Sequence, residues 1–99
     1  MNPKQMMRQM QEMQEKLTRE MEALRVEGTA GGGIVTATVN GQKALLALRI
    51  SPEAITPDDP EMLQDLIVAA VNEASRKADE ALREQLGGLT GGMKIPGLF

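Results

Sequence analysis

Met6, Met10, Met13, Leu17, Met21 and Leu24 recur at steps of four, three, four, four and three residues. This is the period of one helix face, and at 100° per residue the six fall within about 80° of arc. The pattern predicts a helix from residue 3 to about 26, with Pro3 at its first position. Glu12–Lys16 and Glu15–Arg19 are i,i+4 pairs in the favourable order. So narrow a seam on a helix of about 36 Å fits a helix–helix contact, inside the core or between subunits. Met10, Met13 and Leu17 are therefore packing candidates. A Met-rich groove that adapts to several partners is the sharper alternative.

Gly28 to Gly33 end the helical period. A phosphate loop is excluded, because this stretch leads into a strand pattern and not into a helix N-terminus. It reads as a turned connection with room for a short strand. Ile34 to Val39 are mostly β-branched and alternating, and Gln42 to Ile50 form a return strand. Asn40-Gly41 predicts a type I′ turn, with positive φ at both residues. That turn would pair Val39 with Gln42, Ala37 with Ala44 and Val35 with Leu46, all on one face. The other face of the return strand carries Leu45 and Ala47 beside Lys43 and Arg49. A subunit contact there and plain surface exposure are both open.

Ser51-Pro52 ends the strand, and an acidic, Pro-punctuated connection follows to residue 59. Asp59 suits an N-cap, Pro60 a first helical position and Glu61 the first turn. A second helix is expected from there to about Leu86, stopped by Gly87-Gly88. Met62 to Val71 are apolar nearly all round, so Leu66, Ile67 and Val71 should be buried packing residues. Farther on, Ala74, Ala78, Ala81, Leu82 and Leu86 lie opposite Glu73, Arg76, Lys77, Glu80 and Glu84. In the tail, Gly87 and Gly92 have nucleotide-loop spacing, but Met93 stands where Lys must follow. Ile95 to Phe99 are apolar for a tail and either dock on a neighbour or stay free.

Composition narrows the chemistry. The chain has 99 residues, no Cys, His, Trp or Tyr, and one Phe. Without Cys or His there is no disulfide, no thiolate nucleophile, no usual zinc ligand and no imidazole base. The inventory points away from an enzyme and nominates no cofactor, metal or small-molecule substrate. The acidic cluster lacks the spacing and glycine of a calcium loop. No apolar run approaches a membrane span of about 20 residues, which fits a cytoplasmic protein. A core this thin and nearly free of aromatics, beside two long helices, predicts an obligate homodimer.

Charge is uneven. Eleven bases against 14 acids give −3. Glu53, Asp58, Asp59, Glu61 and Asp65 hold −5 of this, leaving +2 elsewhere. Lys4, Arg8, Lys16 and Arg19 lie opposite the Met seam, with Glu12, Glu15 and Glu22 among them, a surplus of about +1. Arg76, Lys77 and Arg83 form a second basic group, with Lys94 in the tail. No aromatic is placed to stack on bases, which disfavours the usual single-strand recognition.

The chain resembles the bacterial YbaB/EbfC family of nucleoid-associated proteins. The resemblance is carried by Thr38-Val39-Asn40-Gly41, by Asp65-Leu66-Ile67-Val68-Ala69-Ala70-Val71-Asn72-Glu73-Ala74, and by Thr90-Gly91-Gly92 with Pro96-Gly97-Leu98-Phe99. The Met- and Gln-rich first helix is similar too. Ser51 stands where the family more often has Asp, and Ser75 is less usual. The resemblance implies an α+β fold: a helix, a three-stranded antiparallel sheet and a second long helix, in a tweezer-like homodimer. It divides the chain into an α-β-β-β-α domain over residues 1–86 and a Gly-rich tail over 87–99. It also implies nucleoid association and binding of double-stranded DNA. A dimer doubles each small basic patch, and a clamp on phosphates needs little base readout. The DNA-binding candidates are then Lys4, Arg8, Lys16, Arg19, Arg76, Lys77 and Arg83. The alternative is a dimeric helical adaptor, using its Met seam and apolar tail to hold a replication or recombination protein without touching DNA.

Overall fold

In the computed structural model, residues 2–89 are described, with side-chain environments as far as Gln85. The order is helix α1 (Pro3–Ala23), strand β1 (Val26–Ala30), strand β2 (Val35–Val39), strand β3 (Leu45–Ile50) and helix α2 (Pro60–Leu89). Short 3₁₀ turns lie at Gly31–Gly33 and Pro52–Ala54. The α+β class and the three-stranded antiparallel sheet, in the order β1-β2-β3, are as expected.

The helix starts follow local chemistry. The Gln5 N–H donates to Asn2 Oδ1 at 2.8 Å, and the Met62 N–H to Asp59 Oδ1 at 3.1 Å. Each bond satisfies a backbone donor that a helix start leaves without a partner. The ends differ from expectation. Helix α1 stops at Ala23, because Leu24 turns to extended backbone and the chain enters β1 at Val26. Arg25 closes this end, donating to the carbonyls of Glu22 at 2.8 Å and Leu24 at 3.0 Å. Helix α2 does not stop at Gly87-Gly88 but runs through them to Leu89. Glycine lowers helix propensity by about 1 kcal/mol and does not forbid the conformation.

The hairpin is real, but its turn is of another type. Gly41 is not at positive φ; Lys43 is, at 66°. The Asn40 side chain reorganises the turn, its Oδ1 accepting the backbone N–H of Gln42 at 2.9 Å and of Ala44 at 3.0 Å. The Lys43 N–H donates to the Asn40 carbonyl at 3.0 Å, so the loop spans residues 40–44. A short polar side chain that binds its own downstream backbone competes with the two-residue turn. The longer loop slides β3. Val35 pairs with Ile50, not Leu46, and Ala37 pairs with Leu48, not Ala44. The slide is an even number of residues, so Ala47 and Arg49 keep the face assigned to them, opposite Thr38 and Thr36. Leu45 does not. A register irregularity between Thr38 and Val39 sets it across from Val39.

The core lies between the sheet and α2. Val35, Ala37 and Val39 of β2 and Ala70, Ala74 and Ala78 of α2 are fully buried, with Leu63, Leu66, Ile67 and Val71 packed around them. The alanines at i, i+4 and i+8 make a smooth helix face. Against it lies Gly28 of β1, where a Cβ would collide with the backbone of Ala70 and Ala74. Helix α2 packs across β1 and β2, leaving β3 at the edge. Met62 and Val68 are exposed, so the first half of α2 buries one side and not its whole circumference.

Helix α1 stands away from this body. Among its residues only Met21 is buried; Met10 is 69% exposed and Met13 66%. The Met seam is therefore not core packing within one chain. The chain is correspondingly long, 67 × 25 × 16 Å, with a radius of gyration of 18.5 Å. A compact domain of this length would have about 13 Å.

Candidate nucleic-acid interface

Lys4, Arg8, Lys16 and Arg19 all project from α1 and are exposed. At 1.5 Å per residue they span about 22 Å along the arm. The ion pairs among the described residues are Lys43–Asp79, Arg49–Glu27, Arg76–Glu73 and Arg76–Glu80. None involves these four bases, so their charges face solvent. Glu12 and Glu15 stand between them and Glu22 about one turn beyond Arg19, all exposed, which keep the local surplus small.

The second basic group is divided by its own helix. Arg76 Nη2 lies 2.7 Å from Glu73 Oε1, and Nη1 bonds Glu80 on the next turn. The hydrogen bond from Arg76 holds the Glu73 carboxyl below the usual carboxylate range. The same hydrogen bond, with the charges of Glu73 and Glu80, pushes the Arg76 guanidinium up. Arg76 is thus committed to two carboxylates. Lys77 and Arg83 are exposed and take part in none of those ion pairs.

The packing candidates separate too. Leu66, Ile67 and Val71 pack on the core of their own chain. Leu45 and Ala47 are exposed on the edge strand, and Met10 and Met13 on the arm; Leu17 is half-buried. Lys94 and the Ile95–Phe99 tail lie outside the described residues.

The structure adds two features that residue spacing does not reveal. One is the joint at the base of the arm, where the Gly41 N–H donates to the Met21 carbonyl at 2.8 Å. The other is a cleft of about 910 Å³ along the arm, lined by Met10, Met13 and Leu17 and reached by Gln85 from α2. Gln85 sits in a charged, amphipathic stretch, and only tertiary structure brings it to the Met seam. Among the described residues, no group of three or more acidic, His or Cys side chains could hold a metal ion. No described helix is long and apolar enough to cross a membrane.

Comparison with known proteins agrees with this architecture. A "nucleoid-associated protein" of Alkaliphilus metalliredigens is 50% identical over 99% of this chain and 89% of that protein. One from Chloroflexus aurantiacus is 49% identical over the full length of both. One from Clostridium perfringens reaches 58% over 81% of this chain and 71% of its own. The crystal structure of an uncharacterized Helicobacter pylori protein, HP0035, superposes with a TM-score of 0.73 over 91% of this chain and 98% of that one. At 20% identity, that likeness speaks to the fold alone. The model of the YbaB/EbfC DNA-binding family matches residues 1–93, and with relatives near 50% identity along the whole length, the chain belongs to that family.

Proposed function

We propose that this protein is a nucleoid-associated homodimer that binds double-stranded DNA through phosphates, with little base readout. The observation that carries the proposal is the arm. Lys4, Arg8, Lys16 and Arg19 are exposed and unengaged by any ion pair among the described residues, on a helix that stands clear of the core. With a net charge of −3 the protein can hold DNA only through local groups of bases, and the arm offers four of them, interspersed with Glu12, Glu15, Glu20 and Glu22 so that few phosphates are engaged at once. The family's description and the printed names of its relatives support the same ligand.

Dimerisation is supported by β3. It is an edge strand carrying exposed Leu45, Leu46 and Leu48, a surface that a lone soluble chain would normally guard with charge, proline or a covering element. A second copy placed there would cover these leucines and present the arm bases twice. Lys77 and Arg83 assist, and Arg76 serves mainly to organise α2. The role needs neither catalysis nor a cofactor and places the protein in the cytoplasm, on the nucleoid.

Anisotropy of a labelled duplex, titrated at several salt concentrations, tests the reading. Few phosphate contacts should give a slope of roughly −2 to −5 in log K against log salt, at about −0.9 per phosphate. A dimer that holds no duplex even at low salt overturns it. The exposed Met10 and Met13 would then favour the second reading, an adaptor that holds another protein along the Met seam.

A further inference from the structure

We propose that Asn40-Gly41 is a self-modification site whose nucleophile the arm keeps locked. When α1 detaches at Met21, the Gly41 backbone nitrogen attacks the Asn40 side-chain carbonyl carbon, and the product holds the arm off the hairpin. This goes beyond the DNA reading and does not depend on it.

The reaction needs only water and hydroxide. The Gly41 N–H gives its proton to hydroxide, and the nitrogen bonds to Asn40 Cγ. The side-chain Nδ2 leaves as ammonia, and a cyclic succinimide remains. Water then opens the ring at either carbonyl, giving aspartate or isoaspartate. Glycine after the asparagine sets no Cβ against ring closure. The other asparagines are placed differently: Asn2 precedes Pro3, which has no N–H, and Asn72 precedes Glu73 inside helix α2.

The fold prepares one reacting group and blocks the other. Asn40 Oδ1 accepts the N–H of Gln42 at 2.9 Å and of Ala44 at 3.0 Å. These donors polarise the side-chain carbonyl and face the oxygen on which negative charge gathers as the nitrogen adds. The nucleophile is masked, because the Gly41 N–H donates to the Met21 carbonyl at 2.8 Å. Loss of that proton would break the bond and set an anionic nitrogen against an oxygen. Asn40 is 7% exposed, and Gly41 and Met21 are buried, so hydroxide reaches the N–H once the arm has moved. The missing Cβ that lets position 41 lie against Met21 also leaves the peptide open to attack when the arm lifts.

The product changes the joint. Isoaspartate routes the main chain through the former side chain and adds a methylene before the Gly41 nitrogen. The oxygen that organised the loop becomes a peptide carbonyl, and the Gly41 N–H is carried away from the Met21 carbonyl.

Peptide mass mapping of the full chain at mildly alkaline pH follows the mass gained when the amide becomes an acid. Attack requires the open joint, so the native rate at Asn40 should lie about tenfold or more below that of the chain in denaturant. Met21→Ala should raise the native rate by about threefold or more, in step with hydrogen exchange of the Gly41 amide. Equal native and denatured rates, or modification that does not follow Gly41 exchange, would overturn the lock. Should Met21→Ala disturb the hairpin, the parent in sub-denaturing urea gives the same comparison, and the two rates must still rise together. The isoaspartate form, separated by ion exchange, tests the consequence. Peroxide should oxidise its Met21 as fast as its Met10, and the parent's Met21 more slowly. Equal protection of Met21 in both forms overturns the release of the arm. None of these measurements contains DNA, so their failure leaves the DNA reading standing, and failure of DNA binding leaves them unchanged.

Discussion

Gly41 is held against Met21, its N–H donating to the Met21 carbonyl at 2.8 Å. Met21 is the one buried residue of α1, so this contact joins the arm to the hairpin. A Cβ at position 41 would lie 2.9 Å from the Met21 carbonyl oxygen and 2.6 Å from its Cε. The glycine is needed for close approach and not for a left-handed turn.

Gly41→Val should therefore destabilise the fold by about 1–3 kcal/mol, through overpacking at the base of the arm. Thermal unfolding measures it. Lys43 provides the contrast, since it is the residue that carries positive φ in this turn. Lys43→Gly should be neutral or stabilise by up to about 1 kcal/mol, and Lys43→Val should cost about 1–2 kcal/mol. The ion pair lost with Lys43 is exposed and contributes little. A reversed order of Gly and Val would mean the turn is built differently in solution.

Gly28→Ala should be the more damaging glycine substitution. Its three nearest neighbours are all backbone atoms of Ala70 and Ala74, and its Cβ would lie closer to them than a Cβ at position 41 would to the Met21 carbonyl oxygen. The helix must lift from the sheet, and a loss of about 2–4 kcal/mol is expected in denaturant titration. Retention of the parent's midpoint would show that α2 does not sit this close to β1.

Arg8→Glu with Arg19→Glu should lower affinity for every duplex sequence by a similar factor, with the dimer still folded. Phosphate contacts carry no base information, and each lost contact removes about 0.9 from the salt slope. Anisotropy with two unrelated duplexes reads both quantities. Undiminished binding would exclude this face of the arm.

Arg76→Gln should barely change DNA affinity, whereas Lys77→Gln should weaken it, because Arg76 is already occupied by Glu73 and Glu80. The pH dependence has a definite sign. The Glu73 carboxyl is depressed in the folded chain, so what it contributes to stability is present above the ordinary value of 4.5 and fades as pH falls through the lower folded value. Acid titrations of parent and Arg76→Gln should converge at low pH. Curves that stay parallel would assign the pair no role in stability.

Leu46→Lys with Leu48→Glu, on the exposed edge strand, should shift the proposed dimer toward monomer in sedimentation equilibrium. An unchanged dimer mass would move the interface away from β3.

The helix starts were local matters. Asn2, Pro3, Asp59 and Pro60 act within one turn of themselves, so spacing alone located both helices, and β-branched alternation located β2. Lys4, Arg8 and Arg19 could be named in the same way, because their angular position opposite the Met seam follows from the helical period; Lys16 departs from that reading, since it lines the arm cleft together with Met10, Met13 and Leu17. Other features depended on residues distant in sequence. The β3 register turned on how Asn40 spent its side-chain oxygen and on Gly41 pressing against Met21, a competition between local turn chemistry and a contact across twenty residues. The fate of the Met seam was also tertiary: a helix period shows that six side chains share a face but not whether anything covers it. Arg76 and Lys77 are neighbours with the same charge in sequence. Both have Glu73 and Glu80 within one turn, so spacing treats them alike; the side-chain conformations decide, with the Arg76 guanidinium on both carboxylates and Lys77 in none of the ion pairs among the described residues.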